Sequence, residues 1–128
     1  MILFVAMFVF VAVSAQYTSA QIKEKVRFAA GTHGATVRGT VRGYAYRDYI
    51  VGASAGQTFD LKLTSTGNPS VFTVLVPGGA EMDGAAEMND FSGTLPANGN
   101  YVIRVLLMRS EARRKGSASN FTLKVSIK

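Results

Sequence analysis

Residues 56–64 read Gly-Gln-Thr-Phe-Asp-Leu-Lys-Leu-Thr. Phe59, Leu61 and Leu63 alternate with Asp60, Lys62 and Thr64. Successive side chains of an extended backbone point to opposite sides, so period two marks a strand with one buried face and one wet face. The alternation predicts Phe59, Leu61 and Leu63 turned inward, with Asp60 and Lys62 outward. Gly56-Gln57 is the turn that leads into it.

The same period recurs on both sides. Ile22, Val26 and Phe28 interleave with Lys23, Lys25 and Arg27, and Val37 and Val41 with Thr36, Arg38, Thr40 and Arg42. Tyr49, Val51 and Ala53 form the next set. Residues 71–76, VFTVLV, are apolar on both faces, which predicts a strand that is central or covered. Phe91, Gly93 and Leu95 make a short strand, and Asn98-Gly99 separates it from Tyr101, Ile103, Val105 and Leu107. Both turn residues tolerate positive φ, so a hairpin is predicted there. Phe121, Leu123, Val125 and Ile127 close the chain opposite Thr122, Lys124 and Ser126. No long amphipathic helix competes with this pattern. The fold class is all-β: an antiparallel β-sandwich of about eight strands, with a closed barrel as the alternative.

Residues 2–13, ILFVAMFVFVAV, lie outside that pattern. Twelve apolar residues are too few for a bilayer-spanning helix, which needs about 20. The length fits the apolar core of a secretory signal, and Val13-Ser14-Ala15 and Thr18-Ser19-Ala20 offer small residues for cleavage. Residues 1–20 are therefore expected to be a signal peptide cleaved after Ala15 or Ala20. Residues 21–128 would form a single exported domain, with no stable membrane insertion once the signal is gone. All charged residues lie at or beyond Lys23, so cleavage leaves the net charge of +6 unchanged.

Composition closes several chemistries. With no cysteine among 128 residues, disulfides, thiolate metal sites and cysteine nucleophiles are excluded. The one histidine, His33, sits in the turn-like Gly31-Thr32-His33-Gly34 and reads as an exposed loop histidine rather than the base of a Ser-His-Asp triad. Glu81/Asp83 and Glu87/Asp90 are carboxylate pairs in a Gly/Ala-rich stretch, a poor platform for fixed acid–base geometry and without a calcium-loop spacing. They read as a solvated acidic loop. The cations spread over alternating strand positions, which is the wet face of a sandwich rather than a nucleic-acid site. No catalytic residue, metal or cofactor is expected.

Two connections are long for such a fold, and long loops are often functional. Residues 77–90, PGGAEMDGAAEMND, are small and acidic; residues 108–120, MRSEARRKGSASN, are strongly basic. The second begins like a helical turn over residues 110–115, with Gly116 placed to end it. Arg109 and Arg113, four apart, would share a face of that turn. A planar guanidinium fork pairs with a carboxylate at two points, so this cluster suits an acidic cleft. Tyr44 and Tyr46, in Gly43-Tyr44-Ala45-Tyr46, would share one side of an extended segment.

Gly43-Tyr44-x-Tyr46, Gly56-Gln57, Leu95-Pro96-Ala97-x-Gly99-x-Tyr101 and Arg104-Val105-Leu106-x-x-Arg109-x-x-Ala112-Arg113 together resemble the bacterial periplasmic inhibitors of g-type lysozyme. The resemblance runs from about Val26 to Lys128. The 56–57 and 97–101 stretches also resemble pre-peptidase C-terminal β-sandwich domains, which carries fold and not function. The resemblance to the inhibitors implies a monomeric, non-enzymatic sandwich whose loops enter the carboxylate-lined groove of g-type lysozyme. The implied contacts are Tyr44, Arg109 and Arg113, with Tyr46, Ser110 and Arg114 in support. The acidic 77–90 loop carries no aromatic or basic residue, so no contact is carried over to it. Two other readings stand beside this one. The first is a cell-wall glycan module stacking sugars on Tyr44 and Tyr46. The second is an accessory domain of the pre-peptidase kind.

Overall fold

The computed structural model describes residues 22–28 and 31–128, so the expected signal peptide, residues 1–20, lies outside the described residues. Eight strands and one helical turn follow in order. These are β1 (Ile22–Lys25), β2 (Gly34–Arg42), β3 (Tyr46–Ala53), β4 (Thr58–Gly67), β5 (Ser70–Leu75), β6 (Asp90–Thr94), β7 (Gly99–Leu107), α1 (Arg109–Ala112) and β8 (Ala118–Ile127). They form two four-stranded sheets, β1-β3-β7-β5 and β2-β8-β4-β6. Pairing is antiparallel except between β1 and β3, which run parallel.

The alternation seen in the sequence sets the register. Phe59, Leu61 and Leu63 are buried, while Asp60 and Lys62 are exposed. β8 answers with Phe121, Leu123, Val125 and Ile127. From the facing sheet come Tyr49 and Val51 on β3, Tyr101, Ile103, Val105 and Leu107 on β7, and Phe72 and Val74 on β5. Edge-to-face rings lock the layers together: Phe59 against Tyr101 at 5.4 Å and Tyr49 against Phe121 at 6.1 Å between centroids.

Two expectations change. β6 and β7 are not a hairpin: β6 pairs with β4, whereas β7 lies between β3 and β5 in the other sheet. Residues 95–98 instead carry the chain from one sheet to the other. Leu95 is buried, its N–H donates to the Gln57 carbonyl (2.7 Å) and its carbonyl accepts from the Gly56 N–H (2.9 Å). The Tyr101 hydroxyl donates to the Ala97 carbonyl (2.7 Å) and accepts from the Ala97 N–H (3.0 Å). The Asn98 side-chain oxygen accepts from the Ala55 N–H at 2.7 Å. Gly99, at φ 135°, supplies the backbone bend. Here the Asn-Gly pair serves a sheet change instead of a hairpin.

The second change concerns the stretch beside β5. β5 is an edge strand, and it is covered as its two apolar faces predict. The 77–89 connection runs along its free side. Phe72 and Met88 exchange backbone hydrogen bonds (2.7 and 2.8 Å), the Val74 N–H donates to Ala85 (2.9 Å), and the Met82 N–H donates to Val74 (2.8 Å). Met82 and Ala85 are buried under it. This stretch is not the freely solvated loop its composition predicts. It shields an apolar sheet edge that would otherwise invite strand pairing.

Candidate functional site

Three connections meet at one end of the sandwich: the β2–β3 turn, the β4–β5 turn and the β7–β8 connection that holds α1. The β2–β3 turn closes through the Ala45 N–H on the Arg42 carbonyl (3.0 Å), with Gly43 at φ 54°. The Gly43 N–H donates to the Ser117 carbonyl at 3.1 Å and ties this turn to the basic connection. Tyr44 projects from its tip, 68% exposed.

The basic connection is well anchored for its length. The Glu111 and Ala112 N–H groups donate to the Met108 carbonyl (2.9 and 2.8 Å), and the Arg113 N–H to Arg109 (3.1 Å). The helical turn is therefore α1 plus Arg113, starting one residue earlier and ending two residues earlier than expected, and Gly116 at φ 75° lies beyond it. Ala112 is buried, and the Ser117 hydroxyl donates to its carbonyl at 3.1 Å. Asn68 in the β4–β5 turn adds three bonds. Its N–H donates to the Ala118 carbonyl (2.9 Å), its side-chain oxygen accepts from the Ala118 N–H (3.0 Å), and its amide nitrogen donates to Glu111 Oε2 (2.9 Å).

On that frame Arg109, Ser110, Arg113, Arg114 and Lys115 are exposed, beside the half-exposed Met108. Among the described residues none of these four cations forms an ion pair. Glu111 is the acid at hand, but its carboxylate is turned to the Asn68 amide. Uncompensated guanidinium groups on an anchored loop are preorganised for an external carboxylate or phosphate.

Tyr46 does not join Tyr44. Tyr44 lies within the turn closed by the Ala45–Arg42 bond, so residues 44–46 are not the extended segment expected. Tyr46 opens β3 half-buried, with the Arg104 guanidinium over its ring at 4.1 Å. Arg104 in turn forks onto the buried Asp48, Nε to Oδ1 at 2.8 Å and Nη2 to Oδ2 at 3.1 Å. That hydrogen bonding raises the Arg104 pKa above the ordinary guanidinium value, against the opposing effect of partial burial. Tyr46 and Arg104 thus belong to one stack, while Tyr44 stands apart from it in solvent.

The remaining candidates gather no chemistry. Among the described residues no group of three or more His, Asp or Glu could hold a metal ion. His33 is exposed and contributes its backbone carbonyl to the Ile127 N–H (2.9 Å). Glu81, Asp83 and Glu87 are exposed along the strip that covers β5, and Asp90 is exposed at the start of β6. Asn68 and Glu111 are the site residues the sequence does not betray. Their only local signals are a Gly-Asn turn and a lone acid inside a basic run.

The chain matches no protein-family model. It is 27% identical over 111 residues to an inhibitor of g-type lysozyme from Escherichia coli K12, covering 80% of this chain and 79% of that one. The crystal structure of a periplasmic inhibitor of g-type lysozyme from Aeromonas hydrophila superposes with a TM-score of 0.72 at 36% identity, over 84% of this chain and 96% of that chain. Its counterpart from Salmonella Typhimurium gives 0.68 at 28% identity, over 85% and 100% of the two chains. A pre-peptidase C-terminal domain of a Bacillus anthracis collagenase, at 14% identity and a TM-score of 0.52, shares the fold alone.

Proposed function

The chain belongs to the family of periplasmic inhibitors of g-type lysozyme, and from that premise we propose that it blocks the peptidoglycan-binding groove of such an enzyme with its basic, tyrosine-flanked end. It is an inhibitor and not an enzyme, and it works in the periplasm. In this reading residues 1–20 are removed on export and residues 21–128 act as a monomer.

The observation that carries the reading is the set of exposed arginines without internal counter-ions, held on a connection fixed to two neighbouring turns. A groove that protonates and cleaves a glycosidic bond carries carboxylates. Arg109 and Arg113, about 40° apart on α1 at 3.6 residues per turn, enter that groove together and fork onto them. Each arginine brings a planar donor set that is charged at any pH the periplasm reaches. Tyr44, on the adjoining turn, packs against the groove rim. A rigid amphipathic ring loses little conformational entropy when it docks. Ser110 and Arg114 lie next to the two arginines and complete the contact. Occupation by protein side chains excludes the glycan without any chemistry.

The test is a wall-lysis assay with purified g-type and c-type lysozymes. The protein should stop lysis by the g-type enzyme and leave the c-type enzyme largely active. Unimpeded lysis by g-type enzymes at saturating protein overturns the reading.

A further inference from the structure

We propose that the Asn68–Glu111 hydrogen bond is a positioning latch that aims Arg109 and Arg113 outward and keeps the loop's own carboxylate from pairing with the neighbouring Arg114 and Lys115. The inference rests on the arginine-prong reading above and names residues that reading does not need.

Three observations carry it. First, the turn geometry separates two faces. At about 100° per residue Glu111 lies about 200° round the turn from Arg109, while Arg113 returns close to Arg109. α1 extends only over Arg109–Ala112, with Arg113 in helical geometry at its end (φ −72°, ψ −11°). A bond that seizes Glu111 from behind therefore sets the roll of the turn with both arginines in front. Second, Asn68 is itself immobilised. Its backbone N–H and side-chain oxygen both bond Ala118, at 2.9 and 3.0 Å, so its amide nitrogen is aimed before it meets Glu111 Oε2. Gly67 before it adopts φ 83°, and a Cβ there would come within 2.9 Å of the Ala118 carbonyl oxygen. Third, α1 needs an external tether. It is four residues long and has no side-chain cap at Met108. A single turn is not self-sustaining in water.

The latch also acts on charge. A free Glu111 could meet Arg114 or Lys115, three and four residues on. Among the described residues it forms no such pair, because Asn68 holds it.

Glu111→Ala and Glu111→Gln remove the same charge, but only glutamine can still accept from the Asn68 amide. Inhibition constants against a purified g-type lysozyme should stay within about twofold of wild type for Glu111→Gln and rise about tenfold for Glu111→Ala, the scale of one hydrogen bond to a charged group. Asn68→Asp sets two carboxylates against each other and should also weaken inhibition. Adding Glu111→Gln to it rebuilds the bond with donor and acceptor exchanged, at unchanged net charge, and should restore inhibition. Amide exchange at Arg113 and Arg114 in the free protein should quicken in Glu111→Ala and not in Glu111→Gln, with thermal melts as the folding control.

If Glu111→Ala inhibits as well as wild type, or Glu111→Gln falls as far as Glu111→Ala, the latch is overturned. Arg109→Ala and Arg113→Ala measured alongside separate the two failures. If they lose inhibition while Glu111→Ala does not, the latch alone is wrong. If they keep it, the prong reading is wrong, and amide exchange alone decides whether the bond fixes the loop.

Discussion

The 77–89 and 108–117 connections are both long, both charged, and each follows a strand of the β1-β3-β7-β5 sheet. The acidic one lays its backbone along β5, with four hydrogen bonds to Phe72 and Val74, and buries Met82 and Ala85. The basic one buries Ala112, bonds to the two neighbouring turns and leaves Arg109, Arg113, Arg114 and Lys115 in solvent. Length and charge thus do not separate a loop that covers the fold from one that displays its charges. What separates them is where the backbone hydrogen bonds go and whether the charges find partners inside the molecule. The acidic strip is part of the fold, and the basic connection is a display built on the fold.

That division can be broken most forcefully at Ala85. Its side chain is fully buried and its carbonyl accepts from Val74. Ala85→Glu should lower stability by about 3–5 kcal/mol in a urea titration, since a carboxylate there has neither water nor a partner. Inhibition per folded molecule should not change. A loss below about 1 kcal/mol would mean the strip swings free and is a loop like the other. A smaller effect of the opposite kind belongs to Tyr44. Tyr44→Ala should weaken binding to g-type lysozyme by about 1–2 kcal/mol, as truncating an exposed aromatic contact does. Its melting temperature should stay unchanged, and a fall in stability without loss of binding would transfer the ring to the fold. Smallest of all, Glu81→Gln and Asp83→Asn should move stability and binding by about 0.5 kcal/mol or less, because both carboxylates are exposed and unpaired among the described residues. Loss of inhibition in either would give the acidic strip a share of the interface.

Much of the fold was legible because strand alternation is a local signal. Phe59-Asp60-Leu61-Lys62-Leu63 carries its own register, and the β8 pattern complements it. The β6–β7 connection was misread because Asn98-Gly99 states only that the chain bends, not which sheet it enters next. That choice is made by Leu95 bonding Gly56 and Gln57 at the edge of the core and by the Asn98 side chain holding Ala55, both non-local. The arginines and Tyr44 were legible as a charge cluster and a family pattern. The spacing of Tyr44 and Tyr46 implies an extended segment, whereas Tyr44 lies in the turn closed by the Ala45–Arg42 bond. The Asn68–Glu111 bond joins residues 43 positions apart, and no sequence period connects them.

The central claim is that exposed, internally unpaired arginines supply the binding energy. Surface-binding kinetics of Arg109→Ala and Arg113→Ala against g-type lysozyme test it most directly, with thermal melts recorded on the same samples. If each guanidinium is desolvated against a groove carboxylate, each variant should lose about 2–5 kcal/mol. That is about 30- to 5,000-fold in affinity, most of it as faster dissociation, at unchanged melting temperature. A rim cation such as Lys62 should cost under about 1 kcal/mol when removed, because solvent screens it. Near-native affinity in both arginine variants would contradict the account and move the interface away from this end of the sandwich.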